Sequence, residues 1–550
     1  MEGSFGIARK NKSTEGDMWS LPLDPTLVRS VRATMQDTVI DPELREYLDQ
    51  LMKHQRAVDE STRDHSIEHP HLWGFQKPSV KFLETAGRCV LGHQMGTGKT
   101  VIACAALDYL RLRKVLIVCP NSWSWASHIS QWVEDPSTVF ILQAGSSNKG
   151  KLEWDEEINS YVFSGSRDSR EDFLKELLLT ENEFLLITNF NQMTIHKEVL
   201  SKAKYDVCVV DEAHRLKNHG SQRSRASRTI LPLADFRWLL TGTPIRRGYE
   251  DLWALLHICD PNRFPSYWNF VKIYFRTVPN YWGSLDIIGP RDEYAFNRML
   301  STYMFRKTKQ EVMPELPDKI IEEVKLPMTE EQERLYRQME KDFRVLVRKE
   351  LEEGKDEEQI IFAPNVAAQL TRLRQLCLSP ALLEDSTDSA KLHYVNEFLE
   401  DFKEQDEKLL IFTYFRQFVP LVERTLKAHE IPYALFVGGM GQQQGRKIEE
   451  MLNKDQVKVV VGTIGAMGEF LNLQAASQVI FCDRSWSQKE NEQAEDRVHR
   501  GEIKTSPVIR YLYHPKTVDQ DIVAVCNRKQ KMEDETVNRI EVIRSLLRRE

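Results

Sequence analysis

Ten short apolar runs, arranged in two groups of five, constrain this chain more than any other feature. The first group is RCVLGHQ (88–94), KVLIVCP (114–120), FLLITN (184–189), YDVCVVDE (205–212) and RWLLTGT (237–243). The second is KLLIFTY (408–414), YALFVG (433–438), KVVVGT (458–463), QVIFCD (478–483) and VIRYLY (508–513). Runs that stay apolar at successive positions suit strands buried on both faces, as in parallel sheets covered by helices. The stretches between runs are long enough for crossover helices, and about 165 residues without such a run separate the groups. The expected fold class is therefore α/β, with two doubly wound parallel-sheet lobes and a helical region between them.

Composition agrees with this and excludes some functions. A chain of 550 residues exceeds what one core supports. No apolar run approaches the roughly 18–20 residues that cross a bilayer, so no membrane partner is expected. The opening MEGSFGIARKNKSTEGD has no secretory apolar stretch. The expected location is cytoplasmic or nucleoid-associated, or nuclear in a eukaryote. The eight cysteines form no CxxC pair, which argues against zinc ribbons and disulfide frameworks. A net charge of −7 rules out an all-over basic coat but leaves room for a local basic groove.

Four regions are expected. Residues 1–65 read as a polar extension, with a helix from Asp41 to about Glu60. Residues 66–312 form a first lobe, 313–388 a linker and helical protrusion, and 389–550 a second lobe. In the third region, Thr329-Glu330-Glu331-Gln332 has a capping-box pattern. Leu335, Met339, Phe343 and Leu346 follow at helical spacing as a packing stripe, and KELEEGKDEEQ (349–359) reads as a solvated helix end and loop.

GHQMGTGKT (92–100) lies between a strand candidate and the helical VIACAALDYL. In that setting Met95, Gly96, Thr97 and Gly98 form a loop whose backbone N–H groups approach phosphate oxygens, helped by the helix dipole. Lys99 would neutralise the β- and γ-phosphates of ATP, and the Thr100 hydroxyl would hold Mg²⁺. A tight glycine turn with an exposed lysine is the competing reading. YDVCVVDEAH (205–214) ends a buried strand in two carboxylates, which is costly unless they meet cations or ordered water. Asp211 would orient Mg²⁺ and Glu212 would deprotonate the attacking water; for Asp211 alone, a helix cap is the alternative. NEQAEDRVHRGE (491–502) carries Arg497 and Arg500 three positions apart at what reads as a helix start. They suit either a solvated basic patch or charge stabilisation at the γ-phosphoryl group, with Gln493 one turn earlier on the same face.

GTGKT, DEAH (211–214), TGTP (241–244) and QAEDRVHR (493–500) occur in the order seen in superfamily 2 helicase-like ATPases. LLTGTPIRRGYEDLWALLHICDP (239–261), FRKTKQEVMPELPDK (305–319) and LTRLRQLCLSPALL (370–383) resemble the Swi/Snf family of double-stranded DNA translocases. The resemblance spans about residues 66–530, and QAEDRVHR is most similar to the annealing-helicase branch that remodels forks. It implies two RecA-like lobes with ATP and Mg²⁺ bound where they meet, Arg497 and Arg500 acting from the second lobe. It further implies that Gln76 reads adenine and that Thr241, Gly242 and Thr243 couple phosphate state to lobe position. DNA contacts are implied for Pro120, Asn121, Ser122, Thr188, Asn189, Lys217, Asn218, Thr413, Thr463 and Trp486.

The sequence departs from the family pattern at His93 and Gln94, at Arg246 and Arg247, and across GTIGAMGEFLNLQAA (462–476). The basic stretch HRLKNHGSQRSRASR (214–228) suits phosphate backbone held without reading bases; a solvent face balanced by acidic neighbours is the other option. The expected activity is that of a monomeric, ATP-dependent translocase on double-stranded or branched DNA, independent of sequence. Two competitors stay open: an RNA or single-strand helicase of DEAH type, and a nucleotide-gated DNA clamp with poor turnover.

Overall fold

The computed structural model describes residues 9–13, 16–20, 42–69, 71–145, 148–180, 183–245, 248–249, 251–279, 285–354, 360, 363–383, 389–471, 473–499, 503, 505–527, 542–543 and 545–547. The chain divides into two compact units, Met1–Val312 and Met313–Glu550.

The first unit is built on a nine-stranded sheet. Its spatial order is Met304–Phe305, Arg88–Leu91, Ala234–Leu240, Tyr205–Val210, Lys114–Val118, Phe184–Thr188, Val139–Ala144, Ser160–Gly165 and Lys151–Asp155. Every pairing is parallel except the last, where Lys151–Asp155 turns back antiparallel on Ser160–Gly165. All five apolar runs read from the first half of the sequence are strands of this sheet. Between Arg88–Leu91 and Lys114–Val118 the chain crosses through helix Lys99–Tyr109, passing over the two strand positions later filled by Tyr205–Val210 and Ala234–Leu240. Such a change of winding direction leaves a crevice at the carboxyl ends of the strands, where ligands bind in open α/β sheets.

Register brings those carboxyl ends level. Leu91 pairs with Leu240, Leu239 with Val210, Val210 with Val118, and Val118 with Thr188. The residues that follow each strand therefore line up along one edge. Both faces of the sheet are covered, and strand residues alternate between the two cores: Leu116, Cys208 and Leu239 face one, while Ile117, Val209 and Trp238 face the other.

The second unit has a six-stranded, all-parallel sheet in the order Ile320–Lys325, Val508–Tyr513, Gln478–Phe481, Leu409–Thr413, Val459–Thr463 and Tyr433–Phe436. Its five central and far strands are the second group of apolar runs. Ile320–Lys325 was not expected: its sequence, IIEEVK, is mostly exposed at the sheet edge, so it carries no continuous apolar signal. Helices Glu330–Glu352 and Pro364–Leu378 belong to this unit and pack with Val518–Asn527 around Phe343, Leu373 and Val518. The stripe at Leu335, Met339, Phe343 and Leu346 is part of that core.

Thr329 caps its helix by accepting from the Gln332 N–H at 3.2 Å. The reciprocal half of the capping box is absent, because the buried Gln332 amide donates instead to the Leu376 carbonyl at 2.7 Å and accepts from Ala390 N–H at 3.2 Å. Residues Arg9–Ser13 and Gly16–Ser20 pair as an antiparallel hairpin where the sequence suggested only a polar tail, and the following helix spans Pro42–Ser61. Residues 355–359 of the polar run KELEEGKDEEQ, and Arg246, Arg247 and Arg500, lie outside the described residues. Among the described residues no helix is long and apolar enough to cross a membrane, and all eight cysteines are free and buried.

Candidate functional site

The phosphate-loop residues leave the sheet at Leu91 and enter helix Lys99–Tyr109. Gly96 and Gly98 take left-handed backbone, with φ of +76° and +77°. At Gly98 that backbone strains any residue with a side chain, and a Cβ there would also lie 2.5 Å from Gln76 Nε2. Gln76 itself is buried, donating to the Thr97 carbonyl at 3.2 Å and accepting from the Trp73 N–H at 2.9 Å. Both ends of the amide that was expected to read adenine thus brace the loop in this structure. The Thr97 hydroxyl closes the loop on the Gln94 carbonyl at 2.8 Å. Lys99 Nζ donates to the carbonyls of His93 at 2.8 Å and Gln94 at 3.1 Å. Thr100 follows in the first helical turn, half-buried.

His93, one of the departures from the family pattern, is fully buried. One ring nitrogen meets the Ser79 hydroxyl at 2.7 Å, and the other accepts from the Lys307 N–H at 3.0 Å. Burial, reinforced by the nearby charges of Lys99 and Lys307, lowers its pKa to about 3, so the ring is neutral at physiological pH. It serves as a fixed polar support for the loop.

Asp211 and Glu212 follow strand Tyr205–Val210 and reach the same edge. Asp211 Oδ2 accepts from Trp125 Nε1 at 2.9 Å, and Oδ1 accepts from the Glu212 N–H at 2.8 Å. Burial, then the Glu212 charge, raises the Asp211 pKa, while the Trp125 hydrogen bond and the Lys99 charge oppose that rise. Glu212 holds a left-handed backbone, φ +50°, which turns its side chain back to within 3.0 Å of His214 Nδ1. The Thr241 hydroxyl lies 3.5 Å from that same nitrogen and accepts from the Thr243 N–H at 3.1 Å. A Cβ on Gly242 would fall 2.6 Å from Met95 Cγ and 3.7 Å from Lys99 Nζ, so the TGTP segment touches the phosphate loop directly.

Four segments distant in sequence thus meet at one edge: a loop lysine, an adjacent carboxylate pair, a hydroxyl-bearing turn and a tryptophan. Mg²⁺ fits the donor set, since Asp211 and Thr100 offer the hard oxygen ligands it prefers and Lys99 offers a point charge to phosphate. Trp125, which the sequence reading passed over, orients Asp211 and stabilises its charged form. Trp125→Phe keeps the ring and removes the N–H. The Mg²⁺ concentration for half-maximal ATP binding is expected to rise about tenfold, as when a metal ligand loses its outer hydrogen bond. The Asp211 pKa rises further without that donor, so the acid limb of Mg²⁺-dependent ATP binding moves to higher pH.

The residues expected on DNA divide by environment. Asn121 caps helix Ser122–Trp132 by accepting from the Ser124 N–H at 3.0 Å. Asn189 caps Phe190–Ile195 by accepting from the N–H groups of Asn191 and Gln192, both at 3.0 Å. Their side chains are engaged in capping, so this part of the edge presents two adjacent helix starts. Pro120 is half-buried beside Asn121, whereas Ser122 and Thr188 are buried. Lys217 corrects an expectation. Its ammonium points inward, 2.7 Å from the Thr243 carbonyl and 3.3 Å from the Asp251 carboxylate, and its side chain is 7% exposed. It ties the carboxylate segment to the TGTP segment and is not a surface cation. Asn218 is exposed in the next turn.

Within the second unit, Thr413 and Thr463 are register partners at the carboxyl ends of adjacent strands. Thr413 is buried and accepts from the Phe415 N–H at 3.3 Å, whereas Thr463 starts helix Ile464–Phe470. Trp486 is a second correction. It is 4% exposed in the helical core, with its ring 4.9 Å from the Arg374 guanidinium, so it packs inside this unit and does not face solvent. The helix expected to begin near Arg497 instead runs Gln488–Glu495 and stops before it. Gln493 is half-buried on that helix, and Arg497 lies in the turn beyond it. Lys319 braces this turn, 2.8 Å from Glu495 and 3.4 Å from Asp496.

With this geometry in place, comparison with known proteins adds the following. Residues 49–382 match the SNF2-related domain, and residues 390–502 match the helicase conserved C-terminal domain. The chain is 26% identical over 479 residues to the transcription regulatory protein SNF2 of Saccharomyces cerevisiae, covering 82% of this chain and 26% of that protein. It is 26% identical over 479 residues to the human DNA annealing helicase and endonuclease ZRANB3, covering 85% and 40%. A similar match, 25% over 485 residues, covers 85% of this chain and 42% of the uncharacterized ATP-dependent helicase MG018 of Mycoplasma genitalium. The chain therefore spans between about a quarter and two fifths of the length of these relatives. Among solved structures, the Sulfolobus solfataricus SWI2/SNF2 ATPase core in complex with dsDNA matches at 22% identity, covering 84% of this chain and 90% of that one, with a TM-score of 0.37.

Proposed function

We propose a function from one premise: the chain belongs to the SNF2-related family. It is an ATP-dependent motor on double-stranded DNA, hydrolysing ATP and moving along the duplex without reading sequence. The observation that carries this reading is the level carboxyl edge of the first sheet, where Lys99, Asp211, Glu212 and the Thr241–Thr243 turn come together. In the proposed cycle the loop N–H groups and Lys99 hold the triphosphate. Thr100 and Asp211 would hold Mg²⁺, which would supply positive charge to the phosphates. Glu212 takes the proton of the attacking water, with His214 orienting its carboxylate. The linkage from Glu212 through His214 to Thr241 and on to Lys217 gives phosphate state a path to the TGTP turn. Arg497 and Arg500 are proposed to supply positive charge to the γ-phosphoryl group during hydrolysis.

The resemblance of QAEDRVHR to the annealing-helicase branch, alongside a relative named as a DNA annealing helicase, supports forked or branched DNA as the preferred substrate of this motor. The test is steady-state ATPase with duplex, single-stranded, forked and four-way DNA, and RNA as control. Duplex or branched DNA is expected to stimulate most, and stimulation should fall steeply between low and moderate salt, since contacts to phosphate backbone release counterions. Stimulation by RNA alone, or a flat salt profile, contradicts the proposal.

A further inference from the structure

Outside the nucleotide-site residues, the first unit holds a cavity of about 320 Å³ walled by helix Arg167–Thr180, the short helices Phe190–Ile195 and Lys197–Leu200, and helix Gln222–Ile230. Two buried groups at this wall share one deficit. Arg170 is 5% exposed, and its Nε donates to His196 Nε2 at 3.2 Å while Nη1 donates to the Gly165 carbonyl. Among the described residues no carboxylate pairs with it. A guanidinium taken out of water without a counter-charge is costly.

His196 lines the cavity and is 2% exposed. An arginine only donates, so Nε2 is the acceptor and the proton of the neutral imidazole sits on Nδ1. Among the described residues that N–H has no acceptor. Burial, with the Arg170 charge beside it, lowers the His196 pKa to about 4 and keeps the ring neutral. A buried, unanswered donor costs stability as well. The rim adds Arg167, Lys197 and Arg225 as cations, while the Thr194 hydroxyl there is already committed to the Phe190 carbonyl at 2.7 Å. Of the two acidic residues there, Glu171 is paired with Lys175 at 3.0 Å, and Glu198 is exposed.

We propose that this cavity is an oxyanion site of phosphate type, with His196 answering the anion from within, the Arg170 guanidinium adding its charge from behind that ring, and Arg167, Lys197 and Arg225 acting from the rim. The phosphate is either a phosphodiester of bound DNA or a free phosphate ion. Helix Phe190–Ile195 links the cavity to Asn189 at the carboxyl edge of the sheet, a span of about 9 Å at 1.5 Å per residue. A duplex lying on that edge therefore comes within reach. The DNA source rests on the functional reading above; the site itself does not.

The experiment uses the full chain and the double variant Arg167→Ala/Arg225→Ala, both positions being exposed. Calorimetric titration with inorganic phosphate is expected to show about tenfold weaker binding in the variant, and ¹⁵N spectra of the wild type should show the His196 ring nitrogens shifting as phosphate is added. Duplex binding is followed in parallel against salt. If the phosphodiester is the ligand, the log–log salt slope of the variant falls by about 1–2. Weakened phosphate binding with an unchanged DNA slope assigns the site to the free ion. Unchanged phosphate binding together with an unshifted His196 overturns the proposal. A chain that lacks DNA-stimulated ATPase but keeps the phosphate-sensitive His196 retains the site and loses the motor.

Discussion

Glu212→Gln is expected to bind ATP and fail to cut it, with turnover down by ~10²–10⁴, the range associated with losing a general base. Glutamine keeps the size of the side chain and imposes no new demand on the left-handed backbone at this position. It also removes the charge that helps to raise the Asp211 pKa. Asp211 then stays ionised to lower pH, so Mg²⁺-dependent ATP binding should survive further into acid than in the wild type, while hydrolysis is lost at every pH. Lys99→Ala is the contrasting case. It removes the charge proposed to meet the phosphates, so binding and turnover should fall together. Single-turnover hydrolysis and a fluorescent-nucleotide binding assay separate the two outcomes. Normal hydrolysis by Glu212→Gln would remove that residue from the chemistry.

A stability effect of comparable weight is expected in the second unit. Lys391 is fully buried, its ammonium 2.5 Å from Asp519 Oδ2 and 2.7 Å from the Cys482 carbonyl. Burial pushes its pKa down, but the charge and hydrogen bond of Asp519, with the nearby Cys377 and Asp483, together outweigh that and the net shift is upward. Helix Ala390–Phe402 is thereby tied to the end of strand Gln478–Phe481 and to the start of helix Val518–Asn527. Asp519→Ala leaves the buried ammonium without its paired carboxylate, which should cost about 3–5 kcal/mol. The double change Lys391→Met/Asp519→Leu should recover most of that loss, because an apolar pair of similar volume carries no desolvation penalty. Urea unfolding of the three proteins measures both numbers. A single-variant loss below about 1 kcal/mol would show that the pair does not hold these elements together.

The sheets were legible because most of their strands carry near-continuous apolar runs, and that signal needs no partner to be seen. Each of the ten runs became a parallel strand. Strands with one wet face or an edge position escaped: Ile320–Lys325 and Lys151–Asp155 are rich in charge, and Ser160–Gly165 is partly polar. Val139–Ala144, VFILQA, also carries an apolar run and is buried over its first four residues.

Motif spacing identified Lys99, Asp211 and Glu212 as candidates, but their supports arise from contacts no local pattern announces. Trp125 lies 86 residues from Asp211, and His93 meets Lys307 across 214 residues. Side-chain direction was the weakest inference. Lys217 and Trp486 occupy positions where a surface role looked natural, yet an internal carboxylate and an internal arginine draw them inward. Polar type alone does not reveal whether a partner is water or protein.

The reversed strand Lys151–Asp155 bears on how the folded molecule meets its own kind. A parallel ladder ending in an apolar strand would offer a row of unanswered amides and carbonyls to any neighbour, inviting fibre-like growth. Here the last rung is only five residues long, runs the other way, and sets Lys151, Glu153 and Asp155 along the margin. Lengthening that hairpin, or making it greasy, would turn a self-limiting boundary into a nucleus for clumping.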